Sequence, residues 1–327
     1  MRFLKPFKEL SIKSVGIAGG KGASLGEMLK AGIPVPDGFV VLATTFDRFV
    51  EETDINVEID AQLDKVNKDD VNSIDEASRI IQGLILKKKM PKDIGGEILE
   101  EFHKLKNQKS KIKNKESLRD GFVVAVRSSA TAEDSSSASW AGELDSFLMV
   151  TEKNLLDCVK RCWASLFTPR AIFYRIEKGM SDIKVSVAVV VQKMIKSEVS
   201  GIVFTVHPVT ADKNQMIIEA GYGLGEAIVG GLITPDAYVV DKVSKEILDI
   251  NIAEQEIKIV RDAKGLTKEA KTSANERESQ KLNGKEVLEL AEICKNIEKH
   301  YGFPCDIEWA REGGKFYIVQ SRPITTL

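Results

Sequence analysis

The stretch that most constrains this chain runs from Val124 to Leu148 and reads AVRSSATAEDSSSASWAGELDSFL from Ala125 onward. The apolar run Phe122-Val123-Val124-Ala125-Val126 predicts a buried strand. That strand delivers Arg127 to a segment made almost wholly of Ser, Thr, Ala, Gly and acidic residues. Such a segment has little to bury, yet it offers many backbone N–H groups and hydroxyls to an anion. An arginine at a strand end suits phosphate, because its planar fork engages two oxygens together. On this stretch alone, a solvent-exposed serine loop is an equal alternative.

Composition narrows the class. With 327 residues, 43% of them hydrophobic, and a net charge of -2, the chain can bury the core of one large domain or of two lobes. The near-neutral balance argues against nucleic acid as a partner. No apolar run reaches the roughly 18 residues a membrane helix needs, so no membrane partner is expected. The opening MRFLKPFKELSIKSV is broken by Pro6 and by charges too early for a signal peptide, which points to the cytoplasm. Cys158 and Cys162 could share a helix face, but no nearby His or CxxC pair completes a zinc set, and all four cysteines are expected to be reduced core thiols.

Residues 16–31, GIAGGKGASLGEMLKA, place four glycines around Lys21 before a helical pattern on Leu25, Met28 and Leu29. Glycines let a backbone approach an anion, and a helix N-terminus adds positive potential. A glycine turn that simply starts the helix is the alternative. The stretch is no Walker A loop, which would need Gly at Val15 and Ser or Thr at Gly22. Ile33–Gly38 predicts a turn, Phe39–Leu42 a short strand, and residues 45–107 a helical scaffold. The lysine-rich run at 104–115 reads as a solvated connector rather than a nucleic-acid patch.

Beyond the serine segment, residues 154–178 predict two helices, with Arg175 on the surface and Arg170 open to either role. Val185–Val191 predicts a buried strand whose end, Gln192–Ile195, could pair its backbone with a purine. Ser200–Thr205 predicts a strand forming a hairpin with it, and residues 216–231 a strand and a glycine turn that fails the GxGxxG fingerprint. Tyr238–Asp241 and Ile247–Ile252 predict short strands, 262–285 a charged surface loop, and Leu288–Tyr301 a helix. Cys305–Ala310 and Lys315–Gln320 close the chain as a hairpin. Alternation puts Asp306, Glu308 and Ala310 on one face, and Phe316, Ile318 and Gln320 on one face. An antiparallel pairing could set Glu308 beside Gln320, with Arg322 just beyond. A carboxylate next to an amide oxygen suits Mg²⁺, which prefers hard oxygen ligands. An exposed polar hairpin face is the other reading.

Taken together, two cations, a small-residue loop, an apolar strand end and a carboxylate–amide pair are the parts of a nucleotide phosphoryl-transfer site. In this order, GGKGASLGEM, VPDGFVV, AVRSSATAED, SWAGELDSFL, WASLFTPRAIFYR, VVVQKMI, GIVFT, EAGYGLGEAIVGG, DIEWA and VQSRPIT resemble the N-terminal ATP-binding domain of the phosphoenolpyruvate synthase and pyruvate phosphate dikinase family, which rifampin phosphotransferases share. The resemblance implies an α+β, ATP-grasp-like fold whose two lobes, about 1–195 and 196–327, close on Mg·ATP. It implies phosphate contacts from Lys21 and Arg127, a phosphate loop containing Gly142 and Ser146, and Gln192 at the adenine strand. It further implies that Glu308, Gln320 and Arg322 hold metal and phosphate, with Lys21, Arg127 and Arg322 as the catalytic cations.

The departures from the family pattern are Glu143 for Gln, His207 for Asp or Asn, and Ala211 for Gly. His207 invites a catalytic role, although a loop histidine is more often structural. The resemblance also implies a phosphohistidine partner, domain or subunit, and a pyruvate-binding domain. Neither is expected here, since His103, His207 and His300 are the only histidines and none lies in a phosphohistidine motif. The expected function is therefore that of an ATP-dependent phosphoryl donor, incomplete without its partners. A different acceptor such as an antibiotic, or a non-catalytic ATP sensor, are the alternatives.

Overall fold

The computed structural model describes residues 2–108, 121–131, 144–180, 186–262 and 266–325. Gly142, Glu143 and residues 109–115 of the lysine run lie outside the described residues. The fold is α+β with antiparallel sheets, and the chain divides into two compact units. One comprises Met1–Glu27 and Asp37–Met194, the other Met28–Pro36 and Ile195–Leu327.

In the first unit, β1 (Leu4–Pro6), β2 (Gly38–Val41), β3 (Val124–Ala130), β4 (Ser146–Val150) and β5 (Val187–Lys193) form one sheet in the order β1-β2-β5-β3-β4. Every pairing is antiparallel. Alternation splits β3 cleanly. Val124, Val126 and Ala130 enter the core with Val187, Val189 and Val191, so Ala125, Arg127 and Ser129 stand on the opposite face.

The core face is covered by α2 (Ala43–Glu52), α4 (Val71–Lys87), α5 (Lys92–Asn107) and α6 (Leu155–Ala164), with α3 (Asn56–Leu63) and α7 (Pro169–Glu177) outside them. Trp163 is fully buried and packs its ring 4.9 Å from Phe49 and 5.6 Å from Phe46. Asp70 caps α4 by accepting from Asn72 N–H, and Thr168 caps α7 ahead of Pro169.

Helix α1 (Val15–Lys30) is broken at Gly19, where φ is +66°. A methyl at Gly22 would stand 2.9 Å from Val40, and one at Gly19 would overlap Ser129. The glycines thus let the helix backbone lie close on the sheet, on the face away from the core. That is a different use from the anion approach the sequence suggested.

In the second unit, β6 (Val199–Phe204), β7 (Gln215–Tyr222), β8 (Asp236–Asp241), β9 (Glu246–Asn251), β12 (Cys305–Glu312) and β13 (Lys315–Pro323) form a sheet in the order β13-β12-β6-β7-β8-β9. Helix α10 (Gly284–Tyr301) opens with an Asn283/Glu286 capping box and lays Val287, Leu290, Cys294 and Ile297 against it. The short helix α8 (Glu226–Val229) follows the glycine turn after β7.

Four expectations need correction. Arg127 lies within β3, not at its end, because Ser128 and Ser129 continue the ladder to Ala130. Strands β5 and β6 belong to different sheets and form no hairpin. The charged stretch 262–285 is no simple loop: β10 (Ile257–Arg261) pairs with β11 (Thr267–Lys271), α9 (Ala274–Arg277) follows, and Lys281 is buried. Arg175 is only 8% exposed, and burial lowers its pKa. All four cysteines are buried and unoxidised, and burial pushes the Cys162 thiol up to about 12.

Candidate functional site

Strand register gathers most of the first unit's expected site residues on one face. Arg127 sits opposite Ser146 on β4 and opposite Val190 on β5, while Ala125, two residues earlier, sits opposite Gln192. Residues two apart share a face, so Arg127, Ser146 and Gln192 stand together on the side away from the helical core. Helix α1 brings Lys21 to the same face, because Gly22 packs on Val40, the register partner of Val190.

Gln192 is 3% exposed, and its Nε2 has no hydrogen-bond partner among the described residues. A buried amide without a partner is costly unless something else accepts from it. The backbone at this strand end is partly committed: Lys193 N–H donates to Asp37 and Met194 N–H to Val123. β5 is also the central strand of its sheet. The Gln192 amide nitrogen, unlike those two N–H groups, has no partner among the described residues.

The second unit's set rests on a bulge. The β12–β13 register runs Asp306↔Arg322, Ile307↔Ser321, Glu308↔Gln320, then Trp309↔Ile318, skipping Val319. Trp309 and Glu308 point to opposite faces, so the skip also turns Gln320 away from Ile318. Phe316 and Ile318 therefore join Ile307 and Trp309 in the core, with the Trp309 and Phe316 rings 5.5 Å apart. Gln320 and Arg322 join Glu308 and Asp306. Strict alternation had kept Gln320 with Phe316 and Ile318, and the extra residue overturns that.

Gln320 donates its Nε2 to Glu308 Oε1 at 3.1 Å. Its Oε1 is buried and has no hydrogen-bond partner among the described residues. Arg322 donates Nε to Asp306 Oδ2 at 2.8 Å, and a second guanidinium nitrogen lies 2.6 Å from the same oxygen. Burial raises the Asp306 carboxyl above its ordinary range, and the Arg322 guanidinium opposes that rise. Glu219 stands opposite Ile202, which stands opposite Glu308, so it shares their face. Its carboxyl is also raised, first by burial and then by the charge of Asp306. Three acids, an amide and an arginine therefore share one sheet face.

The metal expectation can be tested against this donor set. A buried amide oxygen with no protein partner, beside a carboxylate, is a hard-oxygen pair of the kind Mg²⁺ takes. The residues fit the ion.

Sequence reading placed Asp306 on the face of Glu308 but gave it no role, and it missed Glu219 altogether. The period-2 rule could have flagged Asp306 through Arg322, but Glu219 needed the strand order. His207 takes a structural place: its Nδ1 accepts from Val209 N–H at 3.2 Å and Thr210 N–H at 3.3 Å, pinning its own turn. Ala211 in that turn adopts φ +56°, a conformation that favours glycine.

Each unit thus carries its own polar sheet face, with Arg127, Ser146 and Gln192 in the first and Glu219, Asp306, Glu308, Gln320 and Arg322 in the second. Residues 15–327 match the family described as "Pyruvate phosphate dikinase, AMP/ATP-binding domain", and the chain belongs to that family. Over its full length it is 46% identical to a "Probable phosphoenolpyruvate synthase" of Methanocaldococcus jannaschii, of which it covers 27%. A protein of the same description from Archaeoglobus fulgidus is 48% identical over 96% of this chain and 40% of its own length. A "Rifampicin phosphotransferase" of Bacillus cereus is 38% identical over 99% of this chain and 36% of its own length. The chain thus spans less than half of each of these relatives. Among the described residues no helix is long and apolar enough to cross a membrane.

Proposed function

We propose that this domain, an ATP-grasp-like module acting in the cytoplasm, binds Mg·ATP and donates phosphate to a histidine on a partner domain, with pyruvate as the final acceptor. The parts divide by chemistry. Lys21, Arg127 and Arg322 neutralise charge on the transferring phosphoryl group. Gly142 and Ser146 belong to the phosphate loop, and Gln192 meets the adenine base. Glu308 and Gln320 would hold the magnesium, which when bound would supply Lewis-acid stabilisation of phosphate charge. Asp306 fixes the fork of Arg322, and no general base is needed if the attacking histidine arrives neutral.

The observation that carries this reading is the Gln320 amide, whose nitrogen is committed to Glu308 while its buried oxygen has no partner among the described residues. Three relatives with longer chains support the donor role, two described as probable phosphoenolpyruvate synthases and one as a rifampicin phosphotransferase. The last favours a second reading with the same ATP chemistry and an antibiotic acceptor.

The test supplies the protein with ATP labelled at the β-phosphorus, Mg²⁺ and extract of its own cells. Acid-labile, base-stable label should appear on a second polypeptide, with AMP and phosphate released, and Arg127→Ala should abolish it with the fold intact. Nucleotide binding with no label transferred would sink the phosphohistidine route and leave a sensor.

A further inference from the structure

The break in helix α1 is not an ordinary kink. In an unbroken helix, Gly22 N–H would donate to the carbonyl of Ala18, four residues back. Here the Ser129 hydroxyl bridges those two groups. It donates to Ala18 O at 3.0 Å and accepts from Gly22 N–H at 3.3 Å. A side chain inserted in the ladder is a recognised cause of a sharp kink. Gly19, at φ +66°, leaves room for the hydroxyl, since a Cβ there would overlap Ser129. Ser129 is itself fully buried.

Lys21 lies between the two groups that Ser129 holds. Ser129 also lies two residues beyond Arg127 on β3, on the same sheet face. One strand therefore carries the first cation directly and fixes the backbone of the second through one hydroxyl. We propose that Ser129 is the positioning residue that sets Lys21 against Arg127 for the polyphosphate of the nucleotide. The inference rests on the donor reading above, in which both cations meet phosphate.

A packing role and a positioning role predict different binding patterns. The protein, Ser129→Ala, Lys21→Ala and the double variant would each be titrated with Mg·ATP and with AMP by calorimetry, with melting curves to confirm folding. Ser129→Ala is expected to weaken ATP about tenfold and AMP less than about twofold, as for one lost buried hydrogen bond felt only by the outer phosphates. The double variant should bind ATP no more weakly than Lys21→Ala, because the hydroxyl acts through the lysine.

Equal losses for ATP and AMP, or a full additive loss in the double variant, would overturn the proposal. If Lys21→Ala loses the preference for ATP while Ser129→Ala keeps it, the positioning role fails and the donor reading stands. If Lys21→Ala changes nothing, the phosphate role of Lys21 fails, and this inference goes with it. Should Ser129→Ala not fold, Ser129→Cys keeps the volume with a weaker donor. Amide exchange at residues 20–23 should then quicken while β3 stays protected, and unchanged exchange there would equally refute the clamp.

Discussion

Two polar clusters sit on the six-stranded sheet of the second unit, and they are built to opposite rules. Around β8, Asp236 and Lys281 form an ion pair at 2.9 Å with both side chains fully buried. Every group there is used. Asp236 accepts from Ala253 N–H, Lys281 N–H and the Tyr238 hydroxyl, and Lys281 also donates to Ala253 O. On β12 and β13, the Glu308–Gln320 pair is less deeply buried, yet the Gln320 oxygen has no partner among the described residues. A charge removed from water must be fully satisfied or it destabilises the fold. The first cluster meets that demand with the protein's own groups, and the second leaves one buried acceptor without a partner among the described residues.

The largest effect should come from breaking the complete cluster. Lys281→Met strands Asp236 as an uncompensated buried charge and should cost about 3–5 kcal/mol, whereas replacing both partners with apolar residues should recover most of it. Urea unfolding followed by a probe in the second unit reads this directly. A loss below about 1 kcal/mol for the single variant would mean that the pair is not the brace it resembles.

The incomplete cluster should behave the other way. Glu308→Gln keeps the shape and removes a half-buried charge, so stability should change by less than about 0.5 kcal/mol, as at a position outside the structural brace. Magnesium-dependent ATP affinity should fall by about tenfold or more, on the scale of one lost charged contact. A variant that melts early yet binds Mg·ATP normally would invert the contrast and make Glu308 structural.

This contrast also marks what the sequence could convey. Local signals carried a long way: the apolar run at 122–126, the helical pattern on Leu25, Met28 and Leu29, the helix over Leu288–Tyr301 and the closing hairpin all read correctly as elements. Glu308 beside Gln320 was legible as a hairpin register. The bulge at Val319 was not, because nothing in Tyr317-Ile318-Val319-Gln320 distinguishes a regular strand from one with an extra residue; only core packing of Phe316 and Ile318 decides it. The Asp236–Lys281 pair spans 45 residues, and so does its bond from Lys281 N–H to Asp236, a separation no local pattern encodes. For the same reason 262–285, poor in apolar residues, read as loop. Ser129 was visible only as one serine among many, since its partner is a helix break 111 residues earlier.

The smallest effect concerns pH, and it has opposite signs at Glu276 and at the acids of the β12 face. Near the buried pair, Glu276 caps α9 and receives Lys258 at 2.7 Å; chiefly that bond, then backbone N–H donation from Ser273, lowers its carboxyl to about 2. Its folded pKa lies below the unfolded one, so the native state binds fewer protons, and its contribution fades as the pH falls from about 4.5 toward 2. Its side chain is 32% exposed, so solvent screening keeps that contribution small. Asp306 and Glu219 are shifted upward by burial, so there the native state binds more protons than the unfolded chain. Their contribution is fully present below the unfolded carboxyl range and is lost as the pH rises through their raised folded values. Melting temperature measured from pH 7 down to pH 3 should therefore show Asp306→Asn removing a gain that sets in above the ordinary carboxyl range and Glu276→Gln removing a loss at its acid end. If Asp306→Asn instead steepens the acid loss, its carboxylate is held by Arg322 more strongly than burial opposes it, and Asp306 belongs with the complete cluster rather than with the site.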